Sequence, residues 1–163
     1  DLNDLGIIGQ RIPSYDPDDC NGCKKCAVEK ACPVHAAKMT DGVMEIDPNL
    51  CNNCGRCVGT CPFDCIEDGT YGYKIYIGGR WGKSVAQGRA LSKVFTDKEE
   101  ALSVIEKAIL LYREQGQTGE RFASTIERLG FENVEAQLLS DDILARKQEI
   151  LDAQLHLTGG ATC

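Results

Sequence analysis

The sequence predicts an α+β fold, with a cysteine-rich module followed by a strand, a glycine loop and helices. Three observations carry the prediction. One cysteine motif occurs twice within residues 14–70, an alternating run Tyr73-Lys74-Ile75-Tyr76-Ile77 leads into a glycine loop, and capped amphipathic helices follow it.

The chain has 163 residues, 42% of them apolar, which is enough for one medium core or two small ones. No stretch approaches the roughly 18 apolar residues of a bilayer span, and DLNDLGIIGQ lacks the basic-then-apolar layout of a signal peptide. The expectation is a cytoplasmic protein with no membrane or nucleic-acid partner. Its ten cysteines are then expected to serve metal or redox chemistry rather than disulfides. A chain opening at Asp1 without methionine reads as a piece cut from something longer. The net charge of −7 is unevenly spread, with −6 in residues 1–70 and −1 in residues 71–163. Between Gly69 and Thr96 stand Lys74, Arg80, Lys83, Arg89 and Lys93 with no acid. That excess suits either an anionic partner or a solvated basic face.

The module is an internal repeat. Asp16-Pro17-Asp18-Asp19-Cys20-Asn21-Gly22-Cys23 returns 31 positions later as Asp47-Pro48-Asn49-Leu50-Cys51-Asn52-Asn53-Cys54. Each copy continues to a third cysteine, Cys26 or Cys57, and then to Cys32-Pro33 or Cys61-Pro62. Thiolates at i, i+3 and i+6 can each reach a different iron of one cubane, leaving one iron for a cysteine from elsewhere. Structural zinc, the competing reading along with free thiols, needs only a C-x2-C pair from each of two segments.

This run resembles the bacterial-type two-cluster ferredoxins, in which the fourth cysteine of each run ligates the other cluster. The resemblance implies two [4Fe–4S] clusters, one on Cys20, Cys23, Cys26 and Cys61 and the other on Cys51, Cys54, Cys57 and Cys32. The first copy departs from the family by reading Cys26-x5-Cys32, so two extra residues must loop out or lengthen a short helix. Cys65 stands four residues after Cys61, where the first copy has Ala36, and reads as a small buried neighbour of a cluster. His35 reads as a surface or packed histidine rather than a cluster-tuning one, and the terminal Cys163 as incidental.

After the module, Tyr73 to Ile77 is a strand ending in the loop Gly78-Gly79-Arg80-Trp81-Gly82-Lys83. Thr96-Asp97-Lys98-Glu99 is a capping box, and Leu102, Ile105, Ile109 and Tyr112 follow at helical spacing until Gly116. Residues 120–129 form a second helix closed by Gly130, and Ser140-Asp141-Asp142 caps a last one reaching about Leu155. Trp81 is read as a core or interface residue.

The order of these parts, with IGGRWGK, the capped helix and GERFASTIERLG, resembles the C-terminal ferredoxin-like half-domain of siroheme-containing sulfite and nitrite reductases. Asp4-Leu5-Gly6-Ile7-Ile8-Gly9 resembles the strand that in this family follows a C-x3-C motif. In the anaerobic and dissimilatory members a two-cluster ferredoxin is spliced between that strand and the glycine-loop strand. The implied architecture is therefore a two-[4Fe–4S] ferredoxin module inserted into a sulfite/nitrite reductase ferredoxin-like half-domain with C-terminal helices. The implied domains are a ferredoxin over 14–70, a half-domain over 1–13 and 71–139, and a C-terminal helix and tail over 140–163. Residues 5–9 and 73–79 should then be neighbours in one sheet.

The same resemblance implies that Arg80 and Lys83 face siroheme carboxylates or the adjacent cluster, with Gly78, Gly79 and Gly82 allowing close backbone approach. A basic hairpin tip is the alternative. Siroheme would be contacted only in the parent enzyme, whose ligating cysteines would lie upstream of Asp1. A competing parse takes Cys26-x5-Cys32 and Cys57-x3-Cys61 as the siroheme signature itself. The repeat already needs all four cysteines, and the signature's C-x3-C should precede the strand at 5–9. The function implied is an electron-transfer part of a sulfite- or nitrite-reducing oxidoreductase, not catalytic alone. Its partners would be the N-terminal portion of that reductase and an electron-donor protein, with self-association as a further possibility. An independent ferredoxin-like carrier and a self-contained siroheme reductase are the alternatives.

Overall fold

Long strands dominate the beginning of the chain because β-branched and aromatic residues recur there with few breaks. In the computed structural model, which describes residues 2–154, β1 is Leu5–Tyr15 and β4 is Ile66–Ile77. Both are longer than the strands expected at 5–9 and 73–77. The chain divides within them into a unit of Gly9–Tyr73 and a unit of residues up to Ile8 and from Lys74 onward. The cysteine unit thus extends beyond 14–70 at both ends.

Within Gly9–Tyr73, Asp41 and Gly42 both take positive φ, 49° and 86°, the requirement of a two-residue hairpin turn. They join β2 (Ala37–Thr40) to β3 (Val43–Ile46) in register Ala37↔Ile46 and Thr40↔Val43. This hairpin adds to the expected elements, and Asp-Gly between apolar alternations is its sequence signal. The two extra residues of the first copy form a short helix, α1 (Ala27–Ala31), between Cys26 and Cys32. Val28, Ala37, Met44, Cys65 and Ile66 make the core of the unit. The Tyr15 hydroxyl donates to the Met44 carbonyl, tying the end of β1 to the hairpin.

In the other unit, β1 and β4 are neighbours in a sheet of order β1-β4-β5, as expected for residues 5–9 and 73–79. The Gly78 N–H donates to the Asp4 carbonyl at 3.0 Å and Gly6 lies across from Tyr76, so the two strands run antiparallel. The third strand, β5 (Arg89–Phe95), also adds to the expected elements, and it buries Leu91 and Phe95 completely.

Helix α2 (Lys98–Gln115) starts one residue later than the expected box. Its N-cap is Asp97, whose carboxylate accepts from the N–H groups of Glu99 and Glu100 at 3.3 and 3.2 Å. The face it buries is Ala101, Val104, Ala108 and Leu111. The expected stripe is turned outward, with Leu102 and Ile109 46% and 59% exposed. Helix α3 (Phe122–Leu129) closes at Gly130, φ 86°, as expected. The chain then re-enters a helix at once, α4 (Phe131–Leu139), which periodicity alone does not separate.

In place of one helix from Ser140, two short ones follow, α5 (Asp142–Ala145) and α6 (Lys147–Asp152), divided at Arg146. The guanidinium of Arg146 bridges Asp142 and Glu114, while Ile143 and Ile150 are buried and Arg113 donates to the Ile150 carbonyl at 3.1 Å. Residues 140–154 therefore pack with α2 in the same unit rather than standing apart. Leu155 and Cys163 lie outside the described residues. Among the described residues no helix is long and apolar enough to cross a membrane.

Candidate metal centre

The two copies of the motif fold alike because the same local devices recur. Ahead of each first cysteine an aspartate carboxylate accepts the N–H two residues on, Asp16 from Asp18 at 2.9 Å and Asp47 from Asn49 at 2.8 Å. Ahead of each second cysteine a left-handed residue turns the loop, Gly22 at φ 61° and Asn53 at φ 53°. Three residues after each fourth cysteine another left-handed residue appears, His35 at φ 54° and Asp64 at φ 58°. His35 is exposed, so its role here is in the backbone turn and matches the expected surface histidine.

These turns aim backbone donors at sulfur. The Ala36 N–H donates to Cys32 Sγ at 3.2 Å. Burial pushes the Cys32 thiol up, but the backbone N–H groups of Ala37, Val34, Ala36 and His35 outweigh it, and its pKa lies below the usual cysteine value. For Cys61 burial likewise acts upward and is outweighed by the Phe63 N–H and by the side chain and N–H of Cys65. Both Cys-Pro cysteines thus sit in surroundings that favour the thiolate, the form that binds metal.

The sulfurs gather across the repeat. Cys32, from the first copy, lines one cavity with Cys51, Cys54 and Cys57 of the second. Burial and the charges of Cys51, Cys54 and Cys32 raise the Cys57 thiol, a second sign that these four are close. Cys61, from the second copy, lies 3.2 Å from Cys65 Sγ. Cys65 is 2% exposed, as expected of a small buried neighbour. Burial, its bond to Cys61 and the charges of Cys61, Cys20 and Cys26 push it up to about 12. The Met44 N–H donates to Cys20 Sγ at 3.4 Å. Cys23 is half-buried in the same loop as Cys20 and Cys26, and Cys54 is the exposed member of the eight.

The donor chemistry fits iron–sulfur ligation. Every donor is a soft thiol, backbone N–H groups face Cys20, Cys32 and Cys61, and the sulfurs of Cys32, Cys51, Cys54 and Cys57 line a cavity rather than meet at a point. Among the described residues no three His, Cys, Asp or Glu side chains converge on a single-ion site.

Arg11 carries no motif in the sequence, yet it braces the site. Its N–H donates to the Asn53 carbonyl at 2.8 Å and its guanidinium makes two 2.8 Å bonds to Asp68, so β1 leans on the second cysteine loop. A Cβ on Gly55 would meet the Arg11 side chain at 2.5 Å, and the bare glycine beside Cys54 is the available signal.

The glycine loop is a hairpin closed by reciprocal bonds between Arg80 and Ala86, at 2.9 and 3.1 Å. Gly78 has φ 81°, and a Cβ there would stand 3.1 Å from Ile126 of α3. Gly79 is buried, Gly82 turns at φ 138°, and Lys83 is exposed. Arg80 donates to Ser124 Oγ at 3.0 Å and pairs with Glu127 at 3.4 Å, holding its guanidinium on α3. Trp81 is 70% exposed, which corrects the core half of its expected role and leaves the interface half.

The nitrite and sulphite reductase 4Fe-4S domain family matches residues 1–144. The chain is 30% identical over 132 residues to a coenzyme F420-dependent sulfite reductase of Methanocaldococcus jannaschii, covering 80% of this chain and 21% of that protein. It is 50% identical over 59 residues to one subunit of an ion-translocating oxidoreductase complex of Methanosarcina acetivorans, covering 36% of this chain and 22% of that one. It therefore spans about a fifth of the length of either relative. A crystal structure of dissimilatory sulfite reductase I has the same fold with a TM-score of 0.55 at 21% identity, covering 83% of this chain and 38% of the other.

Proposed function

Because the chain belongs to the nitrite and sulphite reductase 4Fe-4S domain family, we propose that it is an electron-transfer module with two [4Fe–4S] clusters, serving a siroheme reductase whose siroheme ligands lie outside this sequence. The grouping of Cys32 with Cys51, Cys54 and Cys57 carries the reading, because only crossed ligation needs the fourth cysteine of one copy beside the triplet of the other. The complementary set is Cys20, Cys23, Cys26 and Cys61. A bound [4Fe–4S] cluster takes up and gives back one electron at a time.

The chain's own residues hold and shield the clusters. The Cys-Pro turns present N–H groups to Cys32 and Cys61, which stabilises their thiolate charge. Met44 and Ile66, buried at 0% and 1% exposure, keep water from the sulfurs packed on them.

In the parent enzyme the hairpin of Gly78, Gly79, Arg80, Gly82 and Lys83 would face siroheme carboxylates. Exposed Lys83 is the cation suited to that contact, and Arg80 would have to leave Ser124 and Glu127 to join it. The partners proposed are the N-terminal portion of the reductase and a cytoplasmic electron donor. The 59-residue match to part of an ion-translocating complex supports the second reading, an independent carrier that docks on a redox partner.

Anaerobic preparation tests the cluster content. The reading predicts about eight iron and eight acid-labile sulfide per chain, with two interacting reduced clusters by electron paramagnetic resonance. Four iron in fully loaded material, or tightly held zinc, refutes it. Cysteines spaced C-x3-C encoded shortly before Asp1 are expected for the siroheme reading, and a start codon there without them favours the independent carrier.

A further inference from the structure

We infer that Cys65 is a hydrogen-bond donor that sets one cluster site apart from the other, with its S–H directed at the Sγ of Cys61. The inference rests on the reading of Cys61 as a cluster ligand. The two sulfurs are 3.2 Å apart and Cys65 is 2% exposed, so no water competes for the contact. A ligating sulfur can only accept. A second bare thiolate at this distance, inside the core, would repel it, so the arrangement is satisfied when Cys65 keeps its proton and donates it.

The repeat supplies the control. Ala36 occupies the position in the first copy that Cys65 occupies in the second, is equally 2% exposed, and gives Cys32 Sγ its backbone N–H at 3.2 Å. The sequence Cys-Pro-x-x-Ala against Cys-Pro-x-x-Cys therefore places an S–H donor at Cys61 where Cys32 has none, while backbone N–H groups face both sulfurs. A donor to a ligand sulfur draws charge from it and favours the state with the extra electron. The cluster held by Cys20, Cys23, Cys26 and Cys61 should then accept an electron more readily than it would without Cys65. Were Cys65 only a filler, alanine would serve there as it does at position 36.

The test uses the full chain, loaded anaerobically, as wild type, Cys65→Ala and Cys65→Ser, with a redox titration followed by electron paramagnetic resonance. For Cys65→Ala the reduced-to-oxidised ratio of the Cys20/Cys23/Cys26/Cys61 cluster should fall about three- to tenfold at fixed potential, a tenfold change being about 59 mV for one electron. The other cluster should be unmoved, and Cys65→Ser, which retains an O–H donor, should fall between. Unchanged ratios at full iron content overturn the inference while leaving the two-cluster reading intact. So does an equal shift of both clusters, which would mark general repacking, or loss of iron from Cys65→Ala, which would make Cys65 a ligand. A wild type without two clusters refutes the ligand reading, and this inference with it.

Discussion

Replacing Cys32 by alanine separates crossed from uncrossed ligation. Cys32 stands in the first copy but lines the cavity of Cys51, Cys54 and Cys57, so Cys32→Ala should damage the cluster of the second triplet. The fold should survive, because Cys32 packs against the core of Val28, Ala37, Met44 and Ile66 from a half-buried position and is not one of its fully buried members. The size of the effect follows from the grouping. A lost cluster removes about four of eight irons, and a cluster degraded to a three-iron form removes about one. Pairs of substitutions then decide, because changes that act on one cluster do not add while changes on separate clusters do. Where Cys32→Ala removes a whole cluster, adding Cys54→Ala should lose no more iron. Cys32→Ala with Cys23→Ala should lose twice as much and leave both signals damaged. Iron and sulfide analysis with resonance spectra of the dithionite-reduced protein reads the result. If the Cys32/Cys23 double variant keeps one intact cluster while the Cys32/Cys54 variant loses both, ligation is uncrossed and the assignment fails.

Other expectations concern the frame. Gly55→Ala forces a Cβ against Arg11 at a position of φ +69°, so it should cost about 1–2 kcal/mol and hasten cluster loss in air, as denaturant unfolding and absorbance decay would show. Leu111→Ala on the buried face of α2 should cost about 2.7–5 kcal/mol, whereas Leu102→Ala should stay within about 0.5 kcal/mol in the isolated chain; equal losses in denaturant unfolding would reverse the orientation given for the helix. Glu120 accepts from Arg128 at 2.8 and 3.0 Å, from Thr125 at 2.9 Å and from the Gln117 N–H at 3.0 Å. Its bond to Arg128 is the chief cause holding its carboxyl at about 2. Since the folded value is depressed, the stabilisation is complete above the ordinary carboxylate value and is lost as pH falls toward 2. Glu120→Gln should therefore cost roughly 1 kcal/mol near neutral pH, a modest figure because Arg128 is partly solvated, with the gap to wild type closing only in acid. The unfolding of α3, followed by its amide signals from pH 7 downward, would show this, and a gap that closes above pH 5 would contradict it.

The cysteine module is legible in the sequence because its constraints are local and repeated. Asp16 and Asp47, Gly22 and Asn53, and His35 and Asp64 each hold one backbone turn, and a turn is specified by the few residues that compose it. The hairpin of β2 and β3 is equally local, and Asp41-Gly42 announces it. The cysteine spacing on either side is the stronger pattern and masks it, although these strands carry Ala37 and Met44 into the core. The length of β1 is less accessible. Its extension to Tyr15 is fixed by Asn53, Asp68 and Met44, residues far along the chain whose partnership with Arg11 and Tyr15 no local pattern expresses.

Helix α2 shows where periodicity stops deciding. Leu102, Ile105, Ile109 and Tyr112 have the same spacing as Ala101, Val104, Ala108 and Leu111, displaced by one residue, which turns the face by about 100° around the helix. Either stripe satisfies a helical pattern, and bulk favours the first. The structure buries the second, with Ala101 and Ala108 at 4% and 1% exposure, because small side chains let the helix approach its neighbours closely while Leu111 fills the remaining space. Lys107 lies on the same buried side and reaches the exposed carboxylate of Asp141 at 3.3 Å, its stem lying in the core and its charge at the rim. A lysine between Glu106 and Ala108 reads as solvent-facing in sequence, and only its partner Asp141, the N-cap of α5, reverses that. The choice of face is thus set by the distance between packed elements, and the cost of the wrong choice is what the Leu111 and Leu102 substitutions measure.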